Sequence, residues 1–224
     1  MAELAGRLRF NFINMLCLND VCYHPPAALH PILKDINLEL APQQLGLIIG
    51  PSGSGKTTLL EILSGLAEPT SGHIRWQTQE LTPLHLQQLC GLVFQFPERH
   101  FCGGTLLEEL RLGHPELPRS RIAETLQEVG LGHCPWNLSP QALSGGQQRR
   151  LSLAVQLIRQ PNILLLDEPT AGLDWSMRQQ LANLLIKLKD HWGLLVVTHD
   201  PGELTAIADQ CWRLERGSLT PQNP

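Results

Sequence analysis

Four short apolar runs in this chain each end on a polar group. "LGLIIG" runs into Gly50, "GLVF" into Gln95, "ILLL" into Asp167 and Glu168, and "GLLVV" into Thr198 and His199. Short apolar runs separated by helical segments are the pattern of fully buried parallel strands, and open α/β sheets gather their ligands at the strands' carboxyl ends. A loop rich in glycine, an amide, two carboxylates and an imidazole are therefore expected along one edge.

Between the runs the apolar period changes. "TTLLEILSGL" places Leu59, Ile62, Leu63 and Leu66 on one helical face, and "SMRQQLANLLIKLK" does the same with Met177, Leu181, Leu184, Leu185 and Leu188. Both stripes read as core packing. Near the start, "RLRFNF" and "LKDINLEL" alternate at period two, which predicts an antiparallel sheet beside the parallel one. From about residue 100 to 160 strand signals vanish, and "SRIAETLQEVGLG" and "QRRLSLAVQLIR" read as helices, the latter with Leu151, Ala154, Val155 and Ile158 on one face. The expected organisation is a single domain over 1–224. Its catalytic core spans about 1–95 and 160–224, and a helical subdomain about 96–159.

Composition narrows the function classes. A 224-residue chain with 42% hydrophobic and 17% charged residues suits a globular fold, and a net charge of −4 gives no support to nucleic acid as a partner. Six cysteines without a C-x-x-C pair read as free thiols rather than a disulfide frame or zinc site. No apolar run approaches the roughly 20 residues that span a bilayer, so direct membrane insertion is not expected. Any tie to a membrane would go through another subunit.

The motif G-x-x-x-x-G-K-T is filled by Gly50, Gly55, Lys56 and Thr57, with Pro51, Ser52, Gly53 and Ser54 inside the loop and Thr58 after it. Strand before and helix after is the context a phosphate cradle needs. Backbone N–H groups wrap the phosphates, Lys56 reaches the β- and γ-phosphates, and the Thr57 hydroxyl binds Mg²⁺. Asp167 is the expected metal ligand, and Glu168 is placed to polarise attacking water. Alone, a D-E pair is an ordinary helix-start feature, Gln95 an ordinary solvated amide and His199 an ordinary structural histidine. Their convergence makes all of them site candidates. A second phosphate-ready stretch, "LSGGQQRR" at residues 143–150, opens another helix, where exposed N–H groups and the helix dipole favour an anion. Why a chain with one complete cradle has a second anion site is the question the sequence raises.

The order of cradle, glutamine loop, "LSGGQ", "LLLDEPTAGLD" and "VVTHD" resembles the ATP-binding subunit of ABC transporters over nearly the whole chain. The resemblance implies a P-loop NTPase fold of the α/β class with a mostly parallel core sheet, an N-terminal antiparallel β-subdomain and a helical insertion. It implies ATP and Mg²⁺ as ligands, and a second ABC ATPase chain, identical or paralogous, packed head to tail. Ser144, Gly145, Gly146 and Gln147 would then act on the nucleotide of the opposite chain, and Asp174 would cross the interface. Tyr23 would stack on adenine, Gln95 would sense metal and water, Glu168 would activate water and His199 would contact the γ-phosphate. An integral membrane subunit and a place on the cytoplasmic side of a membrane follow from the same resemblance. The segment "FQFPERHFCGGTLLEELRLG" resembles the energy-coupling-factor type, which imports vitamins or transition-metal ions, although Arg99 and His100 replace an acidic-glutamine pair common there. A soluble ABC ATPase, for example in iron–sulfur cluster assembly, is the alternative.

Overall fold

The computed structural model describes residues 15–26 and 28–223, so the "RLRFNF" segment lies outside the described residues. Strands β1 (Leu16–Tyr23), β2 (Leu33–Leu40), β4 (Ser71–Trp76) and β5 (Gln79–Glu80) form an antiparallel sheet in the order β2-β1-β4-β5. Strands β3 (Leu45–Ile49), β6 (Cys90–Val93), β7 (Ile163–Asp167), β8 (Gly193–Thr198), β9 (Gln210–Glu215) and β10 (Ser218–Gln222) form the second sheet, in the order β10-β9-β3-β8-β7-β6. Its pairs are parallel except for β10, which runs antiparallel to β9 with Pro221 opposite Trp212.

The four apolar runs are β3, β6, β7 and β8, three of them interior and β6 at the edge of the sheet. Each is buried on both faces, which is why the sequence shows no alternation there. On β7, Leu164 and Leu166 join one hydrophobic cluster while Ile163 and Leu165 join the other. Strand β8 splits the same way, Leu194 and Val196 against Leu195 and Val197. The sheet is thus a wall between two cores. One core holds the antiparallel sheet and α1 (Lys56–Leu63), and the other holds α5 (Gly145–Leu157) and α6 (Trp175–Lys189). Each fully buried leucine in either core contributes about 1.5–3 kcal/mol relative to exposure.

Between β6 and β7 the chain is helical, with α3 (Leu106–Arg111), α4 (Arg119–Glu128) and α5, while α2 (Pro83–Leu89) precedes β6. Helix α5 approaches β6 closely at Gly91, where a Cβ would come within 3.1 Å of Gln156 Cβ. All six cysteines are free. Among the described residues no helix is long and apolar enough to cross a membrane.

Two stripe residues differ from the sequence reading. Helix α1 ends three residues before Leu66, because Gly65 adopts φ +71 and the amides of Gly65 and Leu66 bond back to Ile62 O and Glu61 O. This Schellman cap turns Leu66 out to 61% exposure. Met177 is half-buried and its Cε lies 2.9 Å from where a Gly146 Cβ would stand, so it packs on the start of α5 rather than in the core.

Candidate functional site

Parallel registry sets the site. Ile49 pairs with Thr198, Val197 with Asp167 and Leu166 with Val93, so Gly50, His199, Glu168 and the residues after β6 emerge at one sheet edge. Gly50 N donates to Thr198 O at 3.1 Å, closing the first loop onto β8. No side chain fits at Gly50, where a Cβ would stand 2.2 Å from Leu214 O. Gly53 and Gly55 adopt φ +77 and +104, conformations that glycine reaches without steric cost.

Three charged groups are buried together, Lys56, Asp167 and Glu168. Lys56 Nζ donates to the carbonyls of Gly50 (2.8 Å) and Pro51 (3.0 Å) and lies 3.6 Å from Glu168 Oε1. Those bonds matter, because a buried ion pair without further partners costs more in lost hydration than it returns. Thr57 Oγ1 donates to Asp167 Oδ2 at 2.8 Å, which brings a hydroxyl and a carboxylate together as hard oxygen ligands. Burial raises the Asp167 carboxyl above its ordinary pKa. The Thr57 hydrogen bond works against that rise, and the neighbouring Glu168 charge adds to it. A divalent cation would favour the ionised form. Within the loop, Ser54 Oγ is buried without a hydrogen-bond partner, an orphaned donor that a phosphate oxygen would satisfy. The residues present therefore fit both a nucleotide phosphate and Mg²⁺.

Glu168 is held from three sides. Thr198 Oγ1 donates to its Oε2 at 2.8 Å, His199 N donates to the same oxygen at 3.2 Å, and His199 Nδ1 lies 2.9 Å from Oε1. Its backbone sits at φ +46, a costly conformation for a residue with a side chain, and its N–H is anchored to Val197 O. Gln95 follows β6 at the same edge. Arg149 on α5 reaches the carbonyl of Gln95 (3.0 Å) and also those of Glu168, Pro169 and Ala171. Sequence reasoning missed Arg149 and gave Thr198 no role beyond ending its strand, since an arginine on a helix and a threonine at a strand end carry no local signal of such contacts. Tyr23 closes β1, pairs with Leu33 and is half-buried. Leu33 in turn lies against Gly55, so the tyrosine stands beside the end of the phosphate loop, where α1 begins.

The second anion-ready stretch lies elsewhere. Ser144 caps α5 in a capping box, accepting from Gln147 N while Gln147 Oε1 accepts from Ser144 N. Ser144, Gly146 and Gln147 line a pocket of about 280 Å³ with Arg149, Leu173 and Met177, and no residue of the Gly50–Thr58 loop, nor Asp167, Glu168 or His199, lines it. Asp174 sits next to it, its Oδ1 accepting from Met177 N to cap α6.

A family model described as ABC transporter matches residues 33–171. The chain belongs to the ABC transporter ATP-binding family. This ABC ATPase is 44% identical over 221 residues to the Arabidopsis thaliana protein "ABC transporter I family member 11, chloroplastic", covering 90% of this chain and 78% of that one. It is 34% identical to the energy-coupling factor transporter ATP-binding protein EcfA2 of Caldanaerobacter subterraneus, covering 84% and 70%. Some further curated relatives, 37% identical, are spanned over only 54% of their length. Among solved structures, cbiO1 from Clostridium perfringens, part of the ABC transporter complex cbiONQ, superposes with a TM-score of 0.86 at 27% identity over 94% of this chain and 89% of that one. The P-loop NTPase fold and the energy-coupling-factor likeness expected from the sequence both hold.

Proposed function

We propose that two copies of this ABC ATPase close head to tail around two ATP molecules, and that closure and hydrolysis drive import through a separate membrane subunit. The carrying observation is the separation of the two anion-ready loops. A helix start that favours phosphate sits in a pocket to which the Lys56 loop contributes nothing, so its nucleotide comes from another chain.

In this reading Lys56 exchanges its two loop carbonyls for the β- and γ-phosphates. Thr57 and Asp167, with Gln95, would hold Mg²⁺, whose charge would offset that of the phosphate oxygens when bound. Glu168 takes a proton from the attacking water as the water oxygen bonds to the γ-phosphorus, and the bridging bond breaks to release ADP. Thr198 and the His199 amide keep the accepting carboxylate aimed, while the His199 ring turns to the γ-phosphate. Ser144, Gly145, Gly146 and Gln147 of one chain complete the phosphate shell of the other, Asp174 crosses between them, and Tyr23 stacks on adenine.

Support for a membrane subunit comes from a groove beside β6. Pockets of about 120 Å³ and 330 Å³ share Glu109, Val155 and Gln156 and are walled by Phe101, Leu110 and Ile158. Phe96, 42% exposed, stands at the head of this region with the Arg99 guanidinium 4.7 Å above its ring. Such a surface suits a helix with an apolar face. On this reading the chain works at the cytoplasmic side of a membrane, and its cargo falls in the vitamin or transition-metal class.

Glu168→Gln tests the sandwich. The amide keeps the shape but loses the basic oxygen, so the variant should bind ATP and elute as a stable dimer in gel filtration with ATP and Mg²⁺. A variant that stays monomeric at every concentration, or that turns over at the wild-type rate, overturns the proposal.

A further inference from the structure

Arg178 joins two loops that approach the site from different elements. One turn into α6 it folds back, and its Nε donates to Leu173 O at 3.1 Å, the carbonyl just before Asp174. Its Nη1 donates to Asp200 Oδ2 at 2.7 Å, the residue just after His199. The main chain of Asp200 is in turn fastened to Thr198, with Asp200 N donating to Thr198 Oγ1 at 3.1 Å. The single Thr198 hydroxyl proton goes to its nearer acceptor, Glu168 Oε2 at 2.8 Å, rather than to Asp200 O at 3.1 Å. An unbroken run of hydrogen bonds thus leads from the Leu173 carbonyl through Arg178, Asp200 and Thr198 to the Glu168 carboxylate.

We infer that Arg178 is a positioning residue that makes the Leu173–Asp174 turn and the Thr198–Asp200 turn move as one body. A contact made at Asp174 by the second copy is thereby passed to Glu168 and His199 of the same chain. This inference rests on the head-to-tail reading for the origin of the contact, while the link itself lies within one chain. Fold stability gives the pair little reason to exist. The Arg178 and Asp200 side chains are 26% and 50% exposed, and ion pairs so placed add little to folding. Their geometry has a clearer use, because Asp200 directly follows His199 and Arg178 holds the carbonyl directly before Asp174. Hydrogen bonds to a guanidinium are strong and directional enough to fix the relative placement of two loops.

Arg178→Met, Asp200→Asn and the double variant test the link. Each single variant should lower kcat for Mg-ATP roughly tenfold or more, since small misplacements at a catalytic centre carry large rate penalties, with KM little changed and the melting temperature moved by no more than about 4 °C. The double variant should be no slower than the worse single one, because both cut the same link. Hydrogen exchange supplies a readout free of turnover. Asp200→Asn should weaken protection of amides 175–178, and Arg178→Met that of amides 199–201, each on the loop that was not altered. Unchanged cross-loop protection, or rate losses that multiply in the double variant, would overturn the inference. A Glu168→Gln chain that never dimerises would instead remove the two-copy reading, and the cross-loop exchange would still decide whether the link exists.

Discussion

Asp167 shows what the site costs the fold. Burial holds its carboxyl above the ordinary pKa, so the native chain retains that proton to higher pH than the unfolded chain does. The sign follows directly. As pH rises through the unfolded carboxylate range toward the raised native value, stability falls, and at neutral pH the ionised group is a full burden unless a cation offsets it. Asp167→Asn should therefore raise the melting temperature of the metal-free chain at neutral pH, flatten its pH dependence, and abolish stabilisation by Mg²⁺. Melting curves across pH with and without Mg²⁺ check this, and a lower metal-free melting temperature for the variant would contradict it. Tyr23 carries a separate expectation. If its ring stacks on the base, alanine there should weaken ATP affinity by about one to two decades, from the roughly 1–3 kcal/mol typical of base–aromatic stacking, and tryptophan should restore it. Titration calorimetry reads both, and equal affinity in Tyr23→Ala would leave the tyrosine as a packing residue.

Among the elements, legibility tracked how far each segment obeyed a simple period. Strands β3, β6, β7 and β8 were readable because both faces are buried, and α5 and α6 because one face is. Strand β1 was not. Asp20 takes φ +50, and the register slips between Leu18 and Val21, so the inward residues Leu16, Leu18 and Val21 break the alternation a reader relies on. Arg149 and Arg178 were invisible for another reason, since each acts on carbonyls or a carboxylate far away in sequence, and a helix pattern shows an arginine only as polar. The loop after β6 carries Phe96, Arg99 and Phe101. Phe101 is half-buried against the core of the helical insertion, while Phe96 and Arg99 remain exposed. A Phe96→Ala/Arg99→Ala chain should accordingly keep its isolated ATPase rate and melting temperature but lose stimulation by membranes from its native cell. Stimulation at the wild-type level would place docking elsewhere.

At the scale of the whole molecule, the two cores on either side of the central sheet explain why nucleotide chemistry and helical insertion can coexist in one chain. Residues of a strand alternate between them, so the site at the strand ends is braced from both sides. Convergence of Lys56, Asp167, Glu168 and His199 could be read from the runs, whereas the hydrogen bonds that fix Glu168 could not, because they depend on rotamers and on a backbone turned into the left-handed region. One end of the six-stranded sheet carries a last consequence. There β10 holds Pro221, which has no N–H to offer. An incoming strand thus finds no donor at that position, and lengthening of the sheet past β10 is disfavoured.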